Sequence, residues 1–184
     1  FKEYDISTKT TVFYAQTGVK NIEKILEGLE NGAEYALVSD AGTPTISDPG
    51  VLLVQKIYES LQEVKVIALP GASALTASLS VSGISSSTFT FYGFLPHKKG
   101  RETLFKKIAE SEDVSVFYES VHRIIKTLES LKVFLKEDRV IVVTRELTKL
   151  HEEIIRGSAE EVLAHFSTHK DHIRGEFVVI VSPK

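Results

Sequence analysis

A short apolar run at residues 35–38 breaks off into VSDAGTPTISDPG, thirteen residues at 38–50 that hold two Asp, two Gly and two Pro. Turn chemistry this dense, directly after an apolar run, predicts a tight strand-to-helix connection. The next helix is expected to take Asp48 as its N-cap and Pro49 in its first position, with Val51, Val54, Ile57, Tyr58 and Leu61 on one face. The arrangement then repeats. Residues 64–69 read as a second strand, ending at Pro70-Gly71 in LPGASA and running into a small-residue helix at 73–82 that Gly83 closes. Upstream, Val19, Ile22, Ile25, Leu26 and Leu29 share a helical face that Gly32 stops. Strand, loop and helix in succession, twice, predict a parallel α/β arrangement.

The Gly/Ser-rich stretch SGISSST at 82–88 reads as a linker, giving one α/β domain over 1–85 and a second over 86–184. In the second, strands are expected at 89–94, 114–118, 139–144, 152–156 and 176–181. Helices are expected at 101–110, over Val121, Ile124, Ile125, Leu128 and Leu131, and from a capping box at Ser158-Ala159-Glu160-Glu161 through Phe166. The two strands within 139–156 are close enough to pair antiparallel.

Composition narrows the function classes. The chain has 184 residues, 42% hydrophobic and 26% charged, with a net charge of −3. This is a globular composition, and the negative balance argues against a binder driven by bulk charge while leaving room for a local basic patch. With no Cys, disulfides and thiolate metal sites are excluded. No apolar run approaches the ~20 residues of a membrane helix, so the cytoplasm is the expected location. The chain starts at Phe1 and contains no Met, and it is read as part of a longer protein.

Loops at the carboxyl ends of parallel strands, just before helix N-termini, are where open α/β sheets bind ligands. The loops at 38–50 and 69–74 are therefore candidate walls of one cleft; each alone could be an ordinary tight turn. Neither is a phosphate-binding Gly-Lys-Ser/Thr loop or a G-x-G-x-x-G fingerprint. FYESVHR (117–123) places Glu119, His122 and Arg123 at a strand end, as substrate contacts or as a solvated first helical turn. TRELTKLHEE (144–153) carries Arg145, Glu146, Lys149 and His151. Its H-E-E lacks the one-face H-E-x-x-H spacing, and no metal is expected. LPHKKGRETLFKK (95–107) is the densest basic cluster, with His97, Lys98, Lys99 and Arg101 after an aromatic strand. It suits an RNA backbone or a solvated loop. HKDHIRGE (169–176) is too irregular to read as a site.

Six segments in order resemble the tetrapyrrole (precorrin-type) methylase superfamily, and within it the ribosomal RNA small-subunit methyltransferase I branch. They are SDAGTPTISDPG, LPGASALTASLSVSG, FYGFLPHKKGRE, FYESVHR, TRELTKLHEE and GEFVVIV. The resemblance implies two α/β domains, S-adenosylmethionine in a cleft between them, a homodimer, and methylation of a cytidine ribose 2′-hydroxyl in small-subunit ribosomal RNA. It assigns the cofactor to Asp40, Ala41, Gly42, Thr43, Pro44, Ile46, Ser73, Ala74, Tyr118, Arg145, Gly175 and Glu176. It implies RNA contacts at His97, Lys98, Lys99, Arg101, His122, Arg123 and Lys149. Members open with a strand, a Gly-Asn-Leu loop and an acidic-Asp-Thr-Arg segment that are not found before KTTVFYAQ, so the N-terminal part of the first domain is expected to be missing. Val121 stands where the branch pattern has Pro.

The implied reaction is in-line displacement, in which positioning removes much of the barrier. A ribose hydroxyl is a weak nucleophile, and Glu119 and Glu146 are the candidate general bases. Two other readings share these residues: a methylase of the same fold acting on a tetrapyrrole or another small molecule, and a non-catalytic ribosome-binding module.

Overall fold

The computed structural model describes residues 2–14, 19–135 and 138–184. They fall into two compact units, Phe1–Ala72 and Ser73–Lys184.

In the first unit, α1 (Val19–Glu30) and α2 (Val51–Ser60) pack through Ile22, Leu53, Ile57 and Leu61, with Phe13, Ile25, Leu26, Leu29 and Val64 around them. The periodicity places α1 correctly. It misplaces the start of α2, whose N-cap is Gly50 and not Asp48. The buried face of α2 carries Leu53 and Ile57, while Val51 and Tyr58 are exposed. The strands expected at 35–38 and 64–69 are absent. Val38 and Ile67 are 64% and 74% exposed. An apolar run becomes a strand only by bonding to a neighbour's backbone, and no ladder forms among the described residues of this unit.

The second unit follows the sequence closely. Strands β1 (Phe89–Phe94), β2 (Val114–Ser120), β3 (Ile141–Arg145), β4 (Glu153–Gly157) and β5 (Glu176–Val181) form one sheet in the order β1-β2-β5-β3-β4. β1 runs parallel to β2, β5 runs antiparallel to β2 and β3, and β4 pairs antiparallel with β3 as expected. The carboxyl ends of β1, β2 and β3 therefore share one sheet edge with the amino ends of β4 and β5. This mixed α/β architecture is the class the sequence predicts.

Helices cover both faces. Phe117, Ile141, Val143, Phe177, Val179 and Val181 pack under α4 (Arg101–Ala109), α5 (Ile124–Phe134) and α6 (Ala159–Thr168), where Phe105, Ile108, Leu128, Leu131, Val162 and Phe166 are buried. The alternate residues Val114, Val116, Val142, Val178 and Ile180 meet Leu79 of α3 (Ala74–Val81) on the other face. Burial on both faces explains the continuous apolar runs of the central strands. Each such side chain contributes roughly 1.5–3 kcal/mol.

Local signals set the boundaries. Ser158 caps α6 by accepting from Glu161 N–H, and the Glu161 carboxylate accepts from Ser158 N–H, completing the expected capping box. In β1 the register shifts between Phe91 and Phe94, and Gly93 takes φ 61°. This bulge turns both rings toward Tyr118, at 4.9 and 5.4 Å between centroids; in a regular strand, residues three apart face opposite ways. Although the linker was expected near residue 85, α3 packs against the sheet of the second unit, and the division falls before it.

Two buried hydroxyls join α3 to the sheet, with Ser78 Oγ 2.7 Å from Thr144 Oγ1. Thr144→Val keeps the shape and strands the serine hydroxyl, so a loss of about 1–3 kcal/mol is expected in urea unfolding. Adding Ser78→Ala should recover part of that loss; a strictly additive double variant would show that the pair is not coupled.

Candidate functional site

The sheet edge just described gathers most of the expected residues of the second unit. Its centre is Glu119, which has no exposed surface. Oε1 lies 2.7 Å from Arg123 Nε and accepts from Ser120 N–H at 2.9 Å. Oε2 accepts from Thr127 Oγ1 at 2.6 Å and from Arg101 Nη2 at 3.2 Å. Both oxygens are thus filled by internal donors, and Glu119 anchors the structure here, where the sequence offered it as one of two candidate general bases. A buried carboxylate is retained only when it is paired and hydrogen-bonded.

The same network corrects Arg101 and Arg123. Both were expected to meet RNA, yet each guanidinium is turned inward, with only 16% of the side chain exposed. Arg101 Nη1 donates to Pro96 O at 3.0 Å, and Arg123 Nη1 donates to Leu95 O at 2.8 Å. These bonds clamp the start of the loop between β1 and α4. His97, Lys98 and Lys99 project from that clamped loop into solvent, and His122 is exposed on the adjoining turn. The basic patch is therefore smaller than the sequence cluster, and it is held firmly.

Beyond β3 the chain makes a strained turn. Glu146 and Thr148 have φ of 49° and 66°, a conformation that non-glycine residues adopt at a cost and that often marks a site. Lys149 N–H donates to Glu146 O at 3.0 Å, and Lys149 Nζ lies 3.0 Å from Glu146 Oε1. A Cβ at Gly175 would come within 2.4 Å of Glu146 Oε1. Glycine at 175 is what allows the Glu146 side chain to lie over this backbone, bringing Arg145, Glu146 and the exposed Gly175-Glu176 segment together. Arg145, Glu146, His151, Asp171, His172 and Arg174 line an open depression of about 220 Å³. Tyr118 is half-buried beside Phe91 and Phe94.

Arg145 is itself buried, and its Nε donates to Glu153 Oε2 at 2.6 Å. The other oxygen of Glu153 lies 2.9 Å from both His165 Nε2 and His172 Nδ1. Burial pushes the Glu153 carboxyl upward, but hydrogen bonds and charge from Arg145 and His172 outweigh it and hold the group below its ordinary value. Sequence reading missed this cluster. Its members lie on β4, α6 and a 3-10 turn at Lys170–His172, and the visible hints were the H-E-E that ends in Glu153 and the histidine-containing HKDHIRGE.

The first unit holds the opening loop. Ser39 Oγ lies 3.2 Å from the carbonyls of Ala41 and Gly42, and Thr43 Oγ1 donates to Ala72 O at 3.1 Å. That last bond ties the loop of 38–50 to the end of the LPGA segment, as two neighbouring loops would require. Thr45 and Ser47 take φ of 72° and 63°. Asp40, Ala41, Gly42, Thr43 and Ile46 are exposed and Pro44 half-buried, so backbone polar groups, one carboxylate and one apolar side chain are open to a ligand. Ser73 is the N-cap of α3 and Ala74 its first residue, both in the second unit.

The profile of the Tetrapyrrole (Corrin/Porphyrin) Methylases matches residues 2–163. Ribosomal RNA small subunit methyltransferase I of Thermotoga maritima is 40% identical over 182 residues, spanning 99% of this chain and 80% of that protein. The proteins of the same name from Bacillus subtilis and Haemophilus influenzae are 41% and 43% identical, and this chain spans 60% and 56% of their lengths. Among solved structures, the methyltransferase CobJ is similar with a TM-score of 0.65 at 18% identity, over 92% of this chain and 72% of that one. The uroporphyrin-III C-methyl transferase from Thermus thermophilus complexed with S-adenyl homocysteine gives 0.57 at 16%, over 92% and 75%. At these identities the structures speak for the fold.

Glu119→Ala leaves two inward arginines without their partner, and a loss of about 3–5 kcal/mol is expected in denaturant unfolding. Glu119→Gln should fall between that variant and the wild type. Wild-type stability in both would refute the anchoring role.

Proposed function

The chain belongs to the tetrapyrrole (corrin/porphyrin) methylase family, in its ribosomal RNA small subunit methyltransferase I branch, and from that premise we propose that it methylates the 2′-hydroxyl of a cytidine ribose in small-subunit ribosomal RNA, with S-adenosylmethionine as donor. The observation that carries the reading is the 40% identity to the Thermotoga protein, which extends over 99% of this chain. Its work is assigned to the cytoplasm, as a homodimer. No helix among the described residues is long and apolar enough to cross a membrane.

The exposed turn at 40–46 suits the cofactor. Gly42 has φ 79°, and a Cβ there would sit 3.8 Å from Ala72 O, so the bare backbone leaves room for close approach. Asp40 offers a carboxylate to the ammonium group, Ala41, Thr43 and Pro44 shape the turn, and Ile46 offers an apolar contact. On the second unit, Ser73, Ala74, Tyr118, Arg145, Gly175 and Glu176 are the proposed contacts. When bound, S-adenosylmethionine supplies an electrophilic methyl on its sulfonium.

His97, Lys98, Lys99, His122 and Lys149 meet the RNA, on a surface that Arg101 and Arg123 support from beneath. A loop fixed in advance loses less freedom on binding than a mobile one. Of the two candidate bases, Glu146 keeps the role because 22% of its side chain is exposed, whereas Glu119 has every acceptor site engaged. Lys149 Nζ lies 3.0 Å from its Oε1 and leaves part of the carboxylate accessible.

The reaction is tested by transfer of labelled methyl from S-adenosylmethionine to undermodified small ribosomal subunits. Label in an alkali-resistant dinucleotide is the expected result; label in a porphyrinoid and none in RNA would move the assignment to small-molecule methylation. Subunit binding without any transfer would move it to a binding module. Lys98→Ala and Lys99→Ala should each weaken RNA binding and lower the salt slope by about 1, with little change in stability.

A further inference from the structure

Glu153, His165 and His172 present Oε1, Nε2 and Nδ1 within 4.8 Å of one another, each from a different element. We propose that these three side chains form a binding site for a divalent transition metal of the zinc class, which staples β4, α6 and the Lys170–His172 turn together.

The donor set is the first argument. Two imidazole nitrogens and one carboxylate oxygen are a recurrent three-ligand zinc set, with a fourth position left to water. The spacing is the second. Ligand atoms around a tetrahedral zinc sit about 3.3 Å apart, given arms of about 2.0–2.1 Å. Here both nitrogens lie 2.9 Å from the same oxygen and all three atoms lie within 4.8 Å of one another, so they converge on one point that an ion can take in place of the two contacts to Oε1.

The surroundings supply the third argument. Arg145 donates to Glu153 Oε2 at 2.6 Å, which fixes the carboxylate plane and turns Oε1 toward the imidazoles. Groups that orient a ligand in this way are a regular part of metal sites. Arg145 takes Oε2 of Glu153, which leaves Oε1 to the two imidazoles. The ligand side chains are 18–31% exposed, and His172 lines the open depression, which gives the ion an entry path.

His169 stacks on His165 with centroids 4.6 Å apart, and its Nδ1 lies 3.0 Å from His165 O. It braces the neighbouring ligand from outside the set. The metal would secure the turn that leads into Gly175-Glu176, adding to the local backbone bonds His172 N–H to His169 O and Ile173 N–H to Lys170 O.

Tag-free, chelator-stripped protein should bind one zinc per chain in calorimetry, and melt at a higher temperature with about 100 µM zinc present. Cobalt should give the visible absorption of a four- or five-coordinate site. His165→Ala and His172→Ala should each weaken binding by roughly a hundredfold or more, a ligand loss exceeding the 10- to 100-fold typical of supporting residues; His169→Ala should change it little. A folded wild type that takes up neither metal overturns the proposal, as does undiminished binding in the His165→Ala/His172→Ala double variant. Should those variants not fold, the wild-type calorimetry and cobalt spectrum decide alone. None of these readouts depends on methyl transfer.

Discussion

Much of the second unit's working edge depends on one buried carboxylate. Glu119 sits near the end of strand β2 with no exposed surface, and its charge must be answered from within. Arg123 answers from the turn before α5 and Arg101 from the start of α4, while Thr127 closes the set from α5. Because the arginines also bond to the carbonyls of Leu95 and Pro96, the charge of Glu119 reaches the loop after β1. Electrostatics at a strand end thereby holds a surface loop that the hydrophobic core anchors only at Leu95.

The fold of the second unit was legible almost element by element. Its apolar runs, the Ser158–Glu161 capping box and the glycine after α3 all carry local information, and packing on both sheet faces agrees with them. In the first unit the helix α1 was legible for the same reason. The runs at 35–38 and 64–69 were not, because alternation and β-branching describe only one side of a strand. The other side is a neighbour's backbone, and no residue within the run reports whether it is there. The start of α2 failed differently: Asp48-Pro49 is a good helix opening in isolation, but the turn continues to Gly50.

The candidate residues were legible as a group more than in their roles. Sequence reading named segments in the second unit that the sheet topology gathers on one edge. It could not tell inward from outward charges. Arg101, Lys98 and Lys99 look alike in a basic run, and burial of Glu119 separates them. The i,i+4 spacing of Glu119 and Arg123 was the available hint. The cluster around Glu153 was illegible for a plainer reason, since twelve and nineteen residues separate it from His165 and His172.

The bulge in β1 has a consequence at the rim of the sheet. β1 is an edge strand, bonded to β2 on one side only among the described residues. A flat strand of FTFYGF would offer its open side to any passing chain of similar character, and its aromatic residues would favour such pairing. The kink at Gly93 twists that side out of register, and the lysines that follow it repel a second copy. A single glycine thus makes this rim of the sheet a poorer template for pairing with another chain.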